Sequence, residues 1–219
     1  MDVFYGAVIA LALITNQATQ SQQPKAAGAR VFRVGGGVTP PVLISKTEPE
    51  YSEAARKAKF EGTAMLYVQI DPLGQATNIK VVRRLGLGLD EKAMEAVARW
   101  QFKPGLKQDK PVTVEATVEV NFRLLGQGWS ITREAFPTAV GAPQPVLRDV
   151  PTPPKCKSDG KLTLSLTVDS DGSARDARLV SGSSNSSLNH AIMDSIRKWT
   201  FDPLPQSVSG QIDIVCHAH

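Results

Sequence analysis

Cys216-His217-x-His219 brings one thiol and two imidazoles close together, the donor types that hold zinc. No second cluster of Cys, His, Asp or Glu backs them up, so no metal site is expected. His190 and Asp194, with the serines between Ser181 and Ser187, hold the chemical parts of an acyl-transfer triad. Their spacing is that of a surface pair on a single helix, however, and the Gly-x-Ser-x-Gly turn that exposes a hydrolase nucleophile is missing. Gly35-Gly36-Gly37 invites a phosphate-loop reading, but no Gly-Lys-Ser/Thr ending follows and no strand precedes it. No catalytic carboxylate pair stands out either. The chain is expected to be no enzyme and to need no cofactor.

The recurring residues are more informative. Gly62, Asp71, Gly74, Trp100, Phe102 and Pro104 return as Gly160, Asp169, Gly172, Trp199, Phe201 and Pro203. An offset of that size is one duplicated domain-sized unit, not the short period of a solenoid. The proline-rich stretches lie mainly between the units. They divide the chain into 1–21, a signal-peptide-like or short anchor segment; 22–44, a flexible linker; 45–125, the first unit; 126–154, a Pro-rich connection; and 155–219, a trimmed second unit.

Within the first unit, Tyr51 to Phe60 reads as a short helix with Ser52 as N-cap and Ala54, Ala55 and Ala58 as small packing residues. Ala64, Leu66, Val68 and Ile70 alternate on one face of a strand, Pro72-Leu73-Gly74 turns, and Ala76 to Arg83 returns. Leu89, Ala93, Val97 and Trp100 form one face of a helix. Val112 to Leu124 then alternates throughout, with Val112, Val114, Ala116, Val118, Val120 and Phe122 inward and Thr113, Glu115, Thr117, Glu119, Asn121 and Arg123 outward. The second unit repeats the plan with Leu162 to Val168, Ala174 to Val180, a helix on Leu188, Ile192, Ile196 and Trp199, and a last strand from Gln211 to His217. Each unit is therefore strand, strand, helix, strand. A small antiparallel three-stranded sheet with the helix on one face satisfies that order, so the expected class is α+β, twice. Trp129, Ile131 and Phe136 in the connection are expected to dock on a domain.

Cys156 and Cys216, the two cysteines, flank the first and last strands of the second unit at what would be one end of its sheet. A bridge would close a loop of about 60 residues and contribute roughly 4 kcal/mol by chain entropy. Two buried free thiols are the alternative. Export favours the bridge, and Val3 to Ile14 followed by the polar stretch Thr15 to Gln23 resembles the apolar core of an export signal, being too short to span a bilayer. The net charge of +4 is scattered along the chain, which argues for solvated surface and against a nucleic-acid partner.

One ordered set of residues is specific: Glu48-Pro49-Glu50-Tyr51-Ser52, Ala55, Glu61-Gly62, Ile70-Asp71-x-x-Gly74, Ala96, Arg99-Trp100-x-Phe102-x-Pro104, Pro111 and the alternating strand ending at Phe122. Through it, Val42 to Leu124 resembles the C-terminal domain of TonB, the energy transducer of Gram-negative envelopes. Gly160 to His217 resembles the same domain more weakly. The resemblance implies two tandem TonB C-terminal-like domains in the periplasm, taking up a segment of an outer-membrane receptor or another envelope protein by β-strand addition. It also implies a part in energy-coupled transport, with inner-membrane motor proteins as further partners. Pro49 and Tyr51 match the family's receptor-contacting Gln-Pro-x-Tyr-Pro segment, in which Glu48 and Ser52 are departures. Val112, Val114, Thr117, Val118, Val120 and Phe122 lie on the strand that matches its receptor-pairing strand, the alternative being an inert edge protected by Glu115, Glu119 and Arg123. The alternative function is a periplasmic structural or adaptor module without a transport role.

Overall fold

The computed structural model describes residues 30–124, 128–136, 144–151 and 153–218. The export-like segment therefore lies outside the described residues. No helix among the described residues is long and apolar enough to cross a membrane.

Among the described residues the first elements are strand β1 (Val42–Ser45) and the short helix α1 (Glu53–Ala58). Ser52 caps α1 as expected, its Oγ accepting the Ala55 N–H at 3.1 Å, and Lys59 ends the helix in the left-handed region at φ 53°. Strand β2 (Phe60–Ile70) follows, with Ala64, Leu66, Val68 and Ile70 fully buried. It turns through Asp71 to Gly74 into β3 (Ala76–Arg83). Gly74 sits at φ 80°, and a Cβ there would lie 1.9 Å from the Phe102 carbonyl oxygen, so only glycine fits. Helix α2 (Leu89–Val97) buries Leu89, Ala93 and Val97. Its Asp90 is buried but well partnered, accepting the Leu85 and Gly86 N–H groups and pairing with Arg84 at 3.3 Å. The short strands β4 (Gln101–Lys103), β5 (Gly105–Lys107) and β6 (Lys110–Val112) lead into β7 (Val114–Phe122).

Next come β8 (Gly128–Ala135) and β9 (Leu147–Asp149). Then β10 (Gly160–Val168), β11 (Ala174–Ser181), helix α3 (Ser186–Ile196), β12 (Thr200–Phe201) and β13 (Val208–His217) restate the first half. The recurring Gly and Phe have one local cause. The Phe102 N–H donates to the Gly74 carbonyl at 2.9 Å, and the Phe201 N–H donates to the Gly172 carbonyl at 2.8 Å. Gly172 is as crowded as Gly74, since a Cβ would meet the Phe201 oxygen at 2.1 Å.

Strand β2 pairs antiparallel with β3 and β7, and β10 pairs antiparallel with β11 and β13. The mixed α+β class holds. The two halves are not separate three-stranded sheets, however. Strand β8 pairs antiparallel with β13 and parallel with Phe60 and Glu61 of β2, joining the two sets of three strands into one seven-stranded sheet. The stretch read as a connection is thus the seam of the sheet. The physical reason is Trp129, which is fully buried and packs between Phe60, at 4.8 Å, and Trp199, at 4.7 Å. Its indole N–H donates to the Ala58 carbonyl at 2.6 Å. Leu147 of β9 adds a second seam by accepting the Leu87 N–H at 2.9 Å. Docking of Trp129 and Phe136, both buried, agrees with the sequence reading. The segment read as a flexible linker is paired in its described part, since Phe32 bridges Val114 and β1 pairs with β4.

Cys156 and Cys216 are bonded, with Cα atoms 5.3 Å apart and both residues buried. The closed loop spans 60 residues of sequence. Replacing both cysteines with serine is expected to lower unfolding free energy by about 2–4 kcal/mol, read in urea. A loss well under 1 kcal/mol would show that the bridge constrains little.

Candidate partner-binding edge

A sheet of this kind ends in strands whose outer N–H and C=O groups lack neighbours, and proteins normally blunt such edges. Strands β3 and β11 are blunted. Each pairs with its neighbour through two register irregularities, and each holds a left-handed residue, Asn78 (φ 46°) or Asp176 (φ 51°). Basic residues stand along both, Lys80 and Arg83 on β3 and Arg175 and Arg178 on β11. Strand β7 is different. Its nine residues pair with β2 in unbroken register, from Gly62 opposite Phe122 to Ile70 opposite Val114.

Which groups of β7 face outward follows from its contact with Phe32. The Phe32 N–H donates to the Thr113 carbonyl, and the Glu115 N–H donates to the Phe32 carbonyl, both at 2.9 Å. Residues 113 and 115 therefore point their backbone groups away from β2, and strand alternation gives Thr117, Glu119 and Asn121 the same direction. Beyond Phe32, no described residue pairs with those three backbones. The free edge thus runs over 117–121, capped at one end by the Phe32 strap. Arg33 fastens the strap by ion-pairing with Glu115, which also accepts a hydrogen bond from the Tyr67 hydroxyl at 3.0 Å. The Arg33 and Tyr67 hydrogen bonds hold the Glu115 carboxyl below its usual range. The ion pair's share of the strap's attachment is therefore present above that range and lost as pH falls through the lowered value, while the two Phe32 backbone bonds do not titrate.

The sequence-predicted residues fall into separate groups here. Val112 belongs to β6, opposite Gly105, because the chain breaks at the buried Thr113; the expected single strand from Val112 to Leu124 is two. Val114, Val120 and Phe122 are core, and Val118 is half-buried on the same face. Thr117 is exposed on the free edge. Pro49 and Tyr51 reach the other end of that edge. They line a groove of about 500 Å³ with Lys46, Glu48, Asn121, Phe122 and Arg123. The Tyr51 ring stands edge-on to Phe122 at 5.5 Å. Its hydroxyl is buried with no hydrogen-bond partner among the described residues, and burial, then the Glu61 charge, push its ionisation well above the ordinary phenol value. A second groove of about 480 Å³ flanks the strapped end, between Arg33, Pro40, Tyr67 and Thr117. Alternation in the sequence did not reveal the Phe32 strap, because one bridging residue carries no period.

The second half offers an internal comparison. Gly160 pairs with Cys216 as Gly62 pairs with Phe122, so β13 holds the place of β7. Its outer edge is covered by β8, antiparallel, from Gln211 opposite Ala135 to His217 opposite Gly128. Among the described residues, one of the two equivalent edges is closed by β8 and the other is open over 117–121. The sulfur of Cys216 is engaged in the disulfide and is no thiolate donor, and His219 lies outside the described residues.

A family model described as the C-terminal domain of the Gram-negative bacterial TonB protein matches residues 47–124 and 155–216, more than half of the chain. Protein TonB of Vibrio cholerae is 31% identical over 109 residues, which are 49% of this chain and 45% of that protein. Protein tonB2 of Pseudomonas aeruginosa is 35% identical over 77 residues, 35% of this chain and 28% of its own length. The chain thus spans less than half the length of these relatives. The solution structure of the Pseudomonas aeruginosa TonB C-terminal domain aligns with a TM-score of 0.33 and 20% identity, over 45% of this chain and 96% of that one.

Proposed function

Because this chain belongs to the family of Gram-negative TonB C-terminal domains, we propose that it is a non-enzymatic envelope protein that takes up a segment of an outer-membrane receptor, or of another envelope partner, as an added strand on β7. In this reading it works in the periplasm and takes part in energy-coupled transport across the outer membrane, with inner-membrane motor proteins behind it. Residues 45–125 and 155–219 are two copies of one module, of which the first keeps the binding edge.

The observation that carries the reading is the unblunted edge at Thr117, Glu119 and Asn121. Each of these residues offers one outward donor and one outward acceptor. Main-chain bonds formed there would each contribute about 0.5–1.5 kcal/mol net. The grooves at the two ends supply pockets for alternate side chains, which is how strand addition gains specificity. Pro49, Tyr51 and Phe122 form the apolar wall of one of them.

Two experiments together test the proposal. Cell fractionation is expected to place the protein outside the cytoplasm. A photo-crosslinking side chain in place of Thr117 is expected to capture a periplasm-facing segment of an outer-membrane receptor. Recovery in the cytoplasm, or crosslinks from Val82 on β3 as strong as those from position 117, would contradict it.

A further inference from the structure

Lys57-Ala58-Lys59 and Lys155-Cys156-Lys157 stand at the same spacing that relates Gly62 to Gly160, so they are one position of the duplicated unit met twice. In each triplet the middle residue is buried and both lysines are exposed. The causes are local. Ala58 ends α1 against the core, and Cys156 is held by its bond to Cys216. Strand β8 lies between the triplets, since the Trp129 indole donates to the Ala58 carbonyl and Trp129 stands opposite Cys216 in the sheet. The two lysine pairs therefore converge on one cleft at the seam, of about 330 Å³, with Trp129, Pro153 and Pro154 in its apolar wall.

The charge in this cleft is unbalanced. No carboxylate lines it among the described residues. Lys57 alone of the four lysines has an ion-pair partner among those residues, Glu53 at 3.8 Å, and that pair is open to solvent and worth little. Asp159, the acid nearest Lys157 in sequence, accepts the Ala218 N–H at 2.7 Å. A helix C-terminus ordinarily repels anions through its free carbonyls. Here the Ala58 and Lys59 carbonyls are taken by the indole and main-chain N–H groups of Trp129, at 2.6 Å and 3.1 Å.

Two properties choose the ligand. Lysine presents a compact point charge that suits phosphate, whereas a planar carboxylate is matched best by the fork of arginine, and no arginine lines the cleft. The volume lies at the small end of ligand clefts, enough for a compact group and too little for a peptide strand.

We propose that this seam cleft binds a phosphate group carrying a small apolar substituent, with Lys59, Lys155 and Lys157 neutralising the phosphate and Pro153 and Pro154 covering the substituent. No β7 residue lines the cleft, so the site stands or falls apart from strand addition.

The first probe is phenyl phosphate, titrated into the full chain and followed by amide chemical shifts. The Lys59, Gly128, Cys156 and Lys157 amides are expected to move together and to saturate. Methyl phosphate, of equal charge, is expected to bind several-fold more weakly. Lys59→Gln combined with Lys157→Gln is expected to weaken phenyl phosphate about ten-fold, since two charge-assisted contacts are lost. Both side chains are exposed, so Tm should not change. Lys155→Gln alone should give a smaller loss in the same direction, and Lys80→Gln on β3 none. Shifts that rise without saturating would mean an adventitious ion only and overturn the proposal, as would full-strength binding by the double variant. An acetylated Asp-Glu dipeptide that binds as tightly as phenyl phosphate would overturn the phosphate class. Vesicles then separate two sources of the phosphate. Sedimentation with phosphatidylglycerol but not phosphatidylcholine vesicles, lost in the double variant and reversed by phenyl phosphate, supports the site with a lipid headgroup as its ligand. Phenyl phosphate binding without sedimentation supports it with a soluble compound.

Discussion

Thr117→Pro is expected to reduce partner uptake by more than ten-fold, while Thr117→Ala leaves it within about two-fold, because the main chain carries much of the affinity. The Thr117 N–H points away from β2, so proline there removes a donor that the folded chain does not use. Its ring also projects along the edge and keeps an incoming strand from closing on the neighbouring groups. The fold should tolerate the change, since Ala116 already has the extended backbone that a following proline requires. Val118→Pro is the contrast: its N–H faces β2, so that variant should lose stability as well as binding. Isothermal titration with a receptor segment, beside thermal unfolding of each variant, separates the two effects. A Thr117→Pro chain that stays folded and binds at full strength would remove β7 as the site.

The largest stability effect is expected at the seam. Trp129→Ala removes an indole that is fully buried between the two halves and that also satisfies the Ala58 carbonyl at the end of α1. The cavity should cost about 3–5 kcal/mol. For a chain of this size that corresponds to a drop of roughly 6–20 °C in Tm. The loss should spread to both halves, since Phe60 and Trp199 each lose the same neighbour. Amide exchange in β2 and in β10 should accelerate together. A Tm change of a degree or two would mean that the halves stand independently and that β8 is an accessory.

Much of this architecture could be read before any coordinates. The β2 and β10 strands alternate cleanly, the α2 and α3 faces step by three and four, and Gly74 and Gly172 recur because a carbonyl oxygen closes on each. The disulfide was expected from the two cysteines falling at one end of the second unit's sheet together with the export reading, and Cys216 does share the buried face of Ile212 and Ile214. Strand β8 escaped because Trp129 and Ile131 are its only large apolar residues, too few to show a period. The β1–β4 and β9–β12 pairs are two to four residues long and show none at all. Fusion into one sheet depends on contacts between residues far apart in sequence, which no local pattern encodes.

For the candidate site, alternation in the sequence put Thr117, Glu119 and Asn121 on the outward face of the strand but did not say where their backbone groups point. Side-chain alternation identified Val114, Val120 and Phe122, which the structure places in the core. The outward backbones belong to Thr117, Glu119 and Asn121, and their direction is set by pairing with β2 and by the Phe32 strap. Side-chain identity says nothing of backbone direction until a neighbour is known. Alternation also ran straight through Thr113, where the chain divides β6 from β7, because a bend need not interrupt side-chain parity.

Amide hydrogen exchange of the chain with and without a bound receptor segment tests strand addition on β7 most directly. The Thr117, Glu119 and Asn121 amides are expected to exchange freely alone and to become protected on binding, whereas Ala116, Val118 and Val120, already bonded to β2, change little. Binding that leaves those three amides exchanging freely would contradict it.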